Sequence, residues 1–560
     1  MTKTSIKDPQ HPGADELLFL PLGGTGEIGM NLNLYGHNGK WLMIDLAVTF
    51  GEHDLPGIEV VMPDPDFIVE RSKDLVGLVL THAHEDHIGA VPWLWSELRC
   101  PVYATPFTAS LLRRKLTDEK IHDKPEIIEI PLSGSFDVGP FEVELISLTH
   151  SIPEPNAVAL HTPVGTVLHT GDWKLDPDPL VGEDYDDQRL RELATEGVLA
   201  MVCDSTNALN EGHSGSELDV REALDKVVAK EKNRVAIACF ASNVARVETA
   251  MKIAEKHGRR VALMGRSMHR IYAAAKEAGY LDGLQPPLDA RDIADLPRRE
   301  VMLLCTGSQG EPRAALSRIA SNDHDVELQE NDTIIFSSRV IPGNEKSILQ
   351  LYNKLVAKGI TVITDEQAPG IHVSGHPCRD ELTQMYQWVK PRIAIPVHGE
   401  VRHLRAHADL ALSCQVKQAL VAENGALIRL TPGDAKIIDH VHSGRLVLDG
   451  QLLRATESPV LRSRRRMVLH GSATVTVVAD AVGSLMTEPR IVAEGLYDPE
   501  EEIDVTEAAV TAVVEAIKRL SRHDRASDKM LAEAARLAAR RVFQRELGKK
   551  PIVIPQIIRL

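Results

Sequence analysis

Aromatic residues make up only 4% of this 560-residue chain, and no apolar run approaches the ~20 residues that span a bilayer. The missing run argues against a membrane helix. The missing rings are no bar to a core, because 43% of the residues are hydrophobic. At this length several domains are expected. Cysteine is equally sparse. The six, at 100, 203, 239, 305, 378 and 414, form no CxxC pair and no dense framework. A disulfide scaffold is excluded, and free thiols in a reducing cytoplasm are expected. The polar first 16 residues lack the apolar core of a signal peptide. Positive charge is short too. A net −17 weighs against a generally basic nucleic-acid binder and leaves room only for a local basic channel. Arg462, Arg464, Arg465 and Arg466 are candidates for one, as are Arg259, Arg260, Arg266 and Arg270. A solvated face explains either cluster equally well.

Histidine, by contrast, is concentrated in one place. Thr81-His82-Ala83-His84-Glu85-Asp86-His87-Ile88-Gly89 follows the apolar run Leu75 to Leu80, which reads as a buried strand. Behind it, Ile88, Val91, Leu94 and Trp95 recur at helical spacing. On a strand-to-helix turn His82 and His84 can point to one side, while Asp86 and His87 diverge toward a neighbouring position. Imidazoles and a carboxylate divided this way suit two borderline metals such as zinc or manganese, about 3.5–4 Å apart.

Upstream, Leu17 to Leu22, Asn31 to Tyr35 and Trp41 to Asp45 read as strands. The glycines of Gly23-Gly24-Thr25-Gly26-Glu27-Ile28-Gly29 imitate a dinucleotide fingerprint, but no long helix follows them. Asp45 ends a strand and is expected to orient the turn or its histidines. Downstream, short strands end at Thr149-His150 and at Gly171-Asp172. His150 and Asp172 complete a pattern of HxHxDH, a later His, and an Asp able to bridge two metals. Residues 216–350 then alternate helix and strand, which signals a parallel α/β domain. Its strand ends carry Ser242-Asn243, Thr306 to Glu311 and Ser337-Ser338, where such sheets bind ligands. Two further histidine motifs follow. His398, at a strand end in PVHGE, could be the third protein ligand of a second metal. In His372-Val373-Ser374-Gly375-His376 a hydroxyl and backbone amides could hold a phosphate. Strands near 473–479 and 490–496, helices near 505–522 and 527–547 and a last strand from Pro551 read as a small α+β domain without a catalytic constellation.

The first pattern resembles the metallo-β-lactamase superfamily. With GGTGEIGMN at 23–31, THAHEDHIG at 81–89, GDWK at 171–174, DSTN at 204–207 and FASN at 240–243, it is similar to the ribonuclease J family of the bacterial β-CASP branch. GRSM at 265–268, TGSQGEP at 306–312, IPGNEKS at 341–347, HVSGH at 372–376 and PVHGE at 396–400 extend the likeness. Ala83 and Met30 depart from residues common in that family, and neither touches a ligand. The resemblance implies an α/β fold: a metallo-β-lactamase αββα sandwich in two parts, 16–213 and 359–442. A parallel α/β β-CASP domain at 214–358 is inserted between them, and a linker at 443–466 leads to a C-terminal α+β domain at 467–560. Residues 1–15 lack a family counterpart and are expected to be disordered.

By the same resemblance His82, His84 and His150 hold one metal, Asp86, His87 and His398 the other, and Asp172 bridges them. Two divalent ions are implied, Zn²⁺ first, with Mn²⁺ or Mg²⁺ as alternatives. Substrate residues are His372, Val373, Ser374, Gly375, His376, Ser242 and Asn243. Asp86 and His376 take the catalytic proton roles, and Asp204, His376 and His398 mark the three β-CASP motifs. The implied activity is a cytoplasmic, metal-dependent ribonuclease of RNA maturation, rRNA processing and mRNA decay. It is a 5′-to-3′ exonuclease on single-stranded 5′-monophosphorylated RNA with endonuclease activity, forms a homodimer or homotetramer, and counts an RNA-degradation complex among its implied partners. The alternatives are a thioester or lactone hydrolase of the superfamily, or a non-catalytic RNA-binding subunit. All seven ligand positions are filled, which speaks against the last. The helix near 505–522 is expected to leave a broad apolar face uncovered.

Overall fold

A computed structural model describes residues 9–51, 54–498 and 501–560. The chain forms two compact units: 1–49 with 62–444, and 50–61 with 445–560. In the first, two mixed sheets face each other. One has eight strands, in the order Lys436–His440, Ala426–Thr431, Leu17–Gly23, Leu32–His37, Lys40–Ile44, Leu75–Val79, Val102–Ala104, Ile127–Glu129. The other has seven, in the order Ser135–Val138, Phe141–Ser147, Asn156–Thr162, Gly165–His169, Val198–Asp204, Ile393–Val397, Gln418–Ala419.

The period-2 alternation of side chains decides which residues meet between the sheets. Phe19, Leu42, Ile44 and Val79 from the first sheet join Val143, Leu145, Val158, Leu160, Val202 and Ile395 from the second in one core. Strand Val198–Asp204 is buried on both faces. Ala200 and Val202 enter that core, while Met201 and Cys203 face Leu190, Leu382, Met385 and Leu410 on the flanking helices. Hence its unbroken apolar run. Helices Asp187–Glu196, Arg379–Val389 and Val401–Ser413 cover the second sheet, and helix Pro106–Asp118 packs by strand Ile127–Glu129. The layers are the expected αββα. All six cysteines are free thiols.

The insertion is a five-stranded, wholly parallel sheet, in the order Arg260–Met264, Val301–Cys305, Val235–Ala238, Thr333–Phe336, Thr361–Ile363. Its last strand lies beyond the expected boundary at 358. That strand is three residues long and carries no burial pattern to mark it. Ser216 and Asn243 cap the helices Glu217–Val228 and Val244–Lys256 through their side chains.

In the second unit, strands Arg490–Glu494, Ser472–Ala479 and Ile552–Arg559 form a sheet under helices Ile503–Lys518 and Asp528–Leu547. The expected linker at 443–466 is instead ordered structure. Arg445–Asp449 and Leu452–Ala455 form a hairpin sharing a sheet with the 50–61 segment, and helix Pro459–His470 begins before 466. The turn chemistry accounts for it: Asp449 pairs with Leu452, so Gly450-Gln451 is a two-residue hairpin loop, and Gly450 takes the φ of 67° that its first position needs. Of the expected disordered stretch 1–15, residues 1–8 lie outside the described residues. Within the rest, Gln10 bonds Asp439 at 3.1 Å and Arg71 at 2.7 Å, and the Pro12 and Gly13 carbonyls accept from Gly39 and Asn38.

Candidate metal centre

Strands Lys40–Ile44 and Leu75–Val79 are parallel neighbours, so their carboxyl ends open side by side. The first is followed by Asp45 at φ 62°, the second by Thr81 and the histidine turn, which enters the short helix Glu85–Ile88. Asp45 ties the two ends together. Its carboxylate accepts from Thr81 N at 2.8 Å and Thr81 Oγ1 at 2.9 Å, and lies 2.7 Å from His87 Nδ1. The expected orienting carboxylate therefore holds both the turn and one ring, and His87 Nε2 faces the site, 3.2 Å from Asn31 Nδ2.

His82, His84, His150 and Asp172 form one group and Asp86, His87, Asp172 and His398 a second, with the ligand atoms of each group within 4.8 Å of one another. In the first, His82 Nε2 and His150 Nε2 each lie 3.0 Å from His84 Nδ1. Their outer nitrogens are tied down: His82 Nδ1 is 3.0 Å from Thr81 Oγ1, and His150 Nδ1 donates to the Gly375 carbonyl. Outer nitrogens anchored and inner ones converging is the arrangement of metal ligands. Burial above all holds His82 and His150 well below the ordinary imidazole value and His84 at about 4, so all three rings are neutral donors.

In the second group, His87 Nε2 lies 3.2 Å from Asp172 Oδ2, and His398 Nε2 lies 3.4 Å from Asp86 Oδ2. Burial lowers His87, but Asp172, Asp45 and Asp86 outweigh it and raise its pKa. At His398, burial is likewise overcome by Asp172, Asp204 and Asp86, to about 10. The imidazoles in turn hold Asp86 and Asp172 below the usual carboxylate range, against burial. Buried Asp172 Oδ1 has no hydrogen-bond partner. An orphaned carboxylate oxygen between two groups of imidazoles is satisfied by divalent cations, so the residues present fit the implied metals. The glycine loop once compared with a nucleotide fingerprint serves His398. Gly24 O accepts from His398 N at 2.6 Å, and Gly29 N lies 3.2 Å from its Nε2. At Gly29 (φ 85°) an added Cβ would sit 3.2 Å from the Asp86 Cβ.

The HVSGH turn lies against this centre. Asn207 Nδ2 donates to Ser374 Oγ at 2.7 Å and to the His376 carbonyl at 2.9 Å. Gly375 is required by contact, since a Cβ there would lie 2.7 Å from His150 Cε1. His376 Nδ1 is 2.8 Å from Asp204 Oδ2 and 3.8 Å from Asp172 Oδ2. Burial lowers His376, yet Asp204 and Asp172 raise it on balance. Asp204 as partner of His376, and Asn207 as holder of the turn, escaped the sequence reading of roles. Their one signal was DSTN at a strand end, the same context as Asp172.

Ser242 is half-buried in the loop after strand Val235–Ala238. Asn243, read as a substrate residue, is buried and serves the local structure: its Oδ1 caps Arg246 N at 2.8 Å and its Nδ2 donates to Glu217 at 3.2 Å. In the helix it caps, Arg246 is held by Glu217 and donates to the Ser337 and Ile371 carbonyls, at 2.9 and 3.4 Å, the latter directly before His372. The basic clusters are largely spoken for. Arg259 bonds the Glu231 and Asn233 carbonyls, Arg270 pairs with Asp118, Arg464 with Asp449 and Arg465 with Asp54.

Family profiles match four stretches of the chain. Residues 30–238 match the metallo-beta-lactamase superfamily and 232–355 the beta-CASP domain of ribonuclease J. Residues 370–417 match the Zn-dependent metallo-hydrolase RNA specificity domain, and 459–560 the ribonuclease J C-terminal domain. Over 548 residues the chain is 46% identical to the ribonuclease J of Sinorhizobium meliloti, covering 96% of each. The chain belongs to the ribonuclease J family. The ribonuclease J of Mycolicibacterium smegmatis is 38% identical, covering 99% of this chain and 98% of that one. For Thermus thermophilus the figures are 33%, 97% and 95%. A crystal structure of a protein of unknown function from Enterococcus faecalis V583 shares the fold at TM-score 0.53 and 16% identity, over 74% of this chain and all of that one. The two sheets are thus the metallo-β-lactamase domain of a ribonuclease J family member, interrupted by its β-CASP domain. The chain binds metal, and no helix among its described residues is long and apolar enough to cross a membrane.

Proposed function

We propose that this chain is a metal-dependent ribonuclease that trims single-stranded, 5′-monophosphorylated RNA from its 5′ end and also cuts internally. The observation that carries this reading is the position of the HVSGH turn, pinned by His150 and Asn207 against seven convergent ligand side chains. His82, His84 and His150 would hold one ion, Asp86, His87 and His398 the other, and Asp172 both. Zn²⁺ suits this nitrogen-rich set best, with Mn²⁺ or Mg²⁺ as substitutes. Bound there, divalent ions lower the pKa of water from 15.7 toward about 7 and offset charge on the phosphate.

The chain's own groups do the rest. Ser374 Oγ and the turn's amides take a phosphate on the 5′ side of the cut, with His372, Val373 and Ser242 shaping its surroundings. Asp86, the ligand carboxylate that reaches solvent, accepts the proton of the attacking water. His376, whose pKa Asp204 and Asp172 raise against burial, donates to the leaving 3′ oxygen. The products carry a 5′-phosphate and a 3′-hydroxyl. A turn sized for one phosphate favours 5′-monophosphate ends over triphosphate ends, with their added charge and bulk. Association as a homodimer or homotetramer, action in the cytoplasm and membership of an RNA-degradation complex complete the proposal.

The test uses purified full-length protein with Mn²⁺ or Zn²⁺ on matched RNAs that differ only at the 5′ end, each labelled at either terminus. Mononucleotides are expected first from the 5′ end, faster from the monophosphate. Equal rates on both, or first release from the 3′ end, defeat the reading.

A further inference from the structure

His372 opens the HVSGH turn, and its Nδ1 is buried without a hydrogen-bond partner. Burial first, then Arg246, Arg339 and Lys174, hold its pKa at about 3, so a neutral ring sits in a cationic corner. Two of these cations are neutralised where they stand. Arg246 has one nitrogen 3.1 Å from both carboxylate oxygens of Glu217, and Lys174 Nζ lies 2.7 Å from Asp176. Arg339 is different: it is exposed and has no side-chain hydrogen bond or carboxylate partner among the described residues. Its backbone is nevertheless fixed. Gln309 Nε2 donates to the Arg339 carbonyl at 2.8 Å, and Gln309 Oε1 accepts from Ile341 N at 2.9 Å. Two residues earlier Ser337 Oγ donates to the Ile371 carbonyl at 2.6 Å, which stitches this loop to the residue before His372.

We propose that Arg339 is a specificity-determining residue that takes the phosphate one position beyond the HVSGH turn, on its 5′ side, and so favours internal cutting. The inference rests on the reading that HVSGH holds a phosphate. A planar guanidinium on a fixed main chain suits bidentate phosphate contact. The next two side chains, Val340 and Ile341, are 40% and 45% exposed, and they give a nucleoside an apolar surface beside the charge. A 5′-monophosphate end has nothing to offer Arg339. A phosphate at that position comes either from an upstream nucleotide of an uncut chain or from a 5′-triphosphate.

The experiment compares full-length wild type, Arg339→Ala and Arg339→Lys on one sequence in three forms: circular, 5′-monophosphorylated linear and 5′-triphosphorylated linear. In Arg339→Ala the ratio of kcat/KM on circular RNA to that on 5′-monophosphorylated RNA should fall about tenfold, as for loss of one charge-assisted contact. Arg339→Lys should recover part of it. With metal removed by chelation, the salt slope for binding circular RNA should shrink by about 0.7, the share of one phosphate on a single strand. An unchanged ratio overturns the proposal. A loss confined to triphosphorylated RNA also overturns it, since the position would then read terminal phosphates. Ser374→Ala separates the two readings. If that variant keeps the monophosphate preference, the HVSGH assignment fails, whereas the Arg339 ratio is scored on its own.

Discussion

Among single residues, the centre divides into groups that face inward and groups that aim them. His84 is of the first kind: its Nδ1 lies 3.0 Å from both His82 and His150, and nothing else joins those two rings so closely. Replacing it with alanine should abolish RNA cleavage, reduce bound metal per chain and leave thermal unfolding within a few degrees of wild type, because the fold's cores lie elsewhere. A His84→Ala enzyme with near wild-type turnover sinks the ligand assignment. Asp45 is of the second kind. Asp45→Asn keeps the shape but loses the charge that orients His87, so metal affinity measured by competition with a chelator should fall about 10- to 100-fold.

At the level of elements, what could be read in advance depended on sequence distance. HxHxDH spans six positions, so local chemistry alone revealed it. The Asp204–His376 pair is 172 residues apart, and only the folded chain lays the 372–376 turn against the loop after Asp204, where Asn207 holds Ser374 and the His376 carbonyl. Asn243 stood at the right strand end for a ligand contact, and the fold gives it a helix cap as well, because an asparagine before a helix satisfies backbone donors. The hairpin at 445–455 was legible in two short apolar runs around Gly450, and it was passed over because each run is only a few residues long. The buried Arg246 shows how the insertion reaches the site, since it ties Glu217, Ser337 and Ile371 at one point. Arg246→Ala leaves Glu217 buried and unpaired, which should destabilise the fold by about 3–5 kcal/mol in chemical denaturation. Because the HVSGH turn loses its anchor, KM for RNA should rise more than kcat falls. A variant as stable as wild type with unaltered KM would remove this network from the argument.

For the whole molecule, the proposed assembly would use surfaces the second unit leaves open. Sequence periodicity pointed to the helix near 505–522, but that helix, Ile503–Lys518, is used internally. Ala509, Val513 and Ile517 are buried with helix Asp528–Leu547 and the sheet. The uncovered apolar surface is the sheet's other face. Alternation along Ser472–Ala479 sends Val475 and Val477 into the core, and Thr474, Thr476 and Val478 outward. The strands paired with it add Val492, Ile554 and Ile558 to that outer face, each 44–45% exposed. Ile552–Arg559 is also an edge strand, with its far side unpaired within the sheet. An apolar face beside a free edge is what a second copy would cover. Cutting the chain after Ala455 spares the hairpin paired near residue 60 and removes this sheet, and it should give a monomer by light scattering. Full-length Val492→Lys/Ile554→Lys should give the same monomer while unfolding at the wild-type temperature, because neither side chain supports the core. If both proteins keep the wild-type mass in solution, the proposed homo-oligomer does not form through this face.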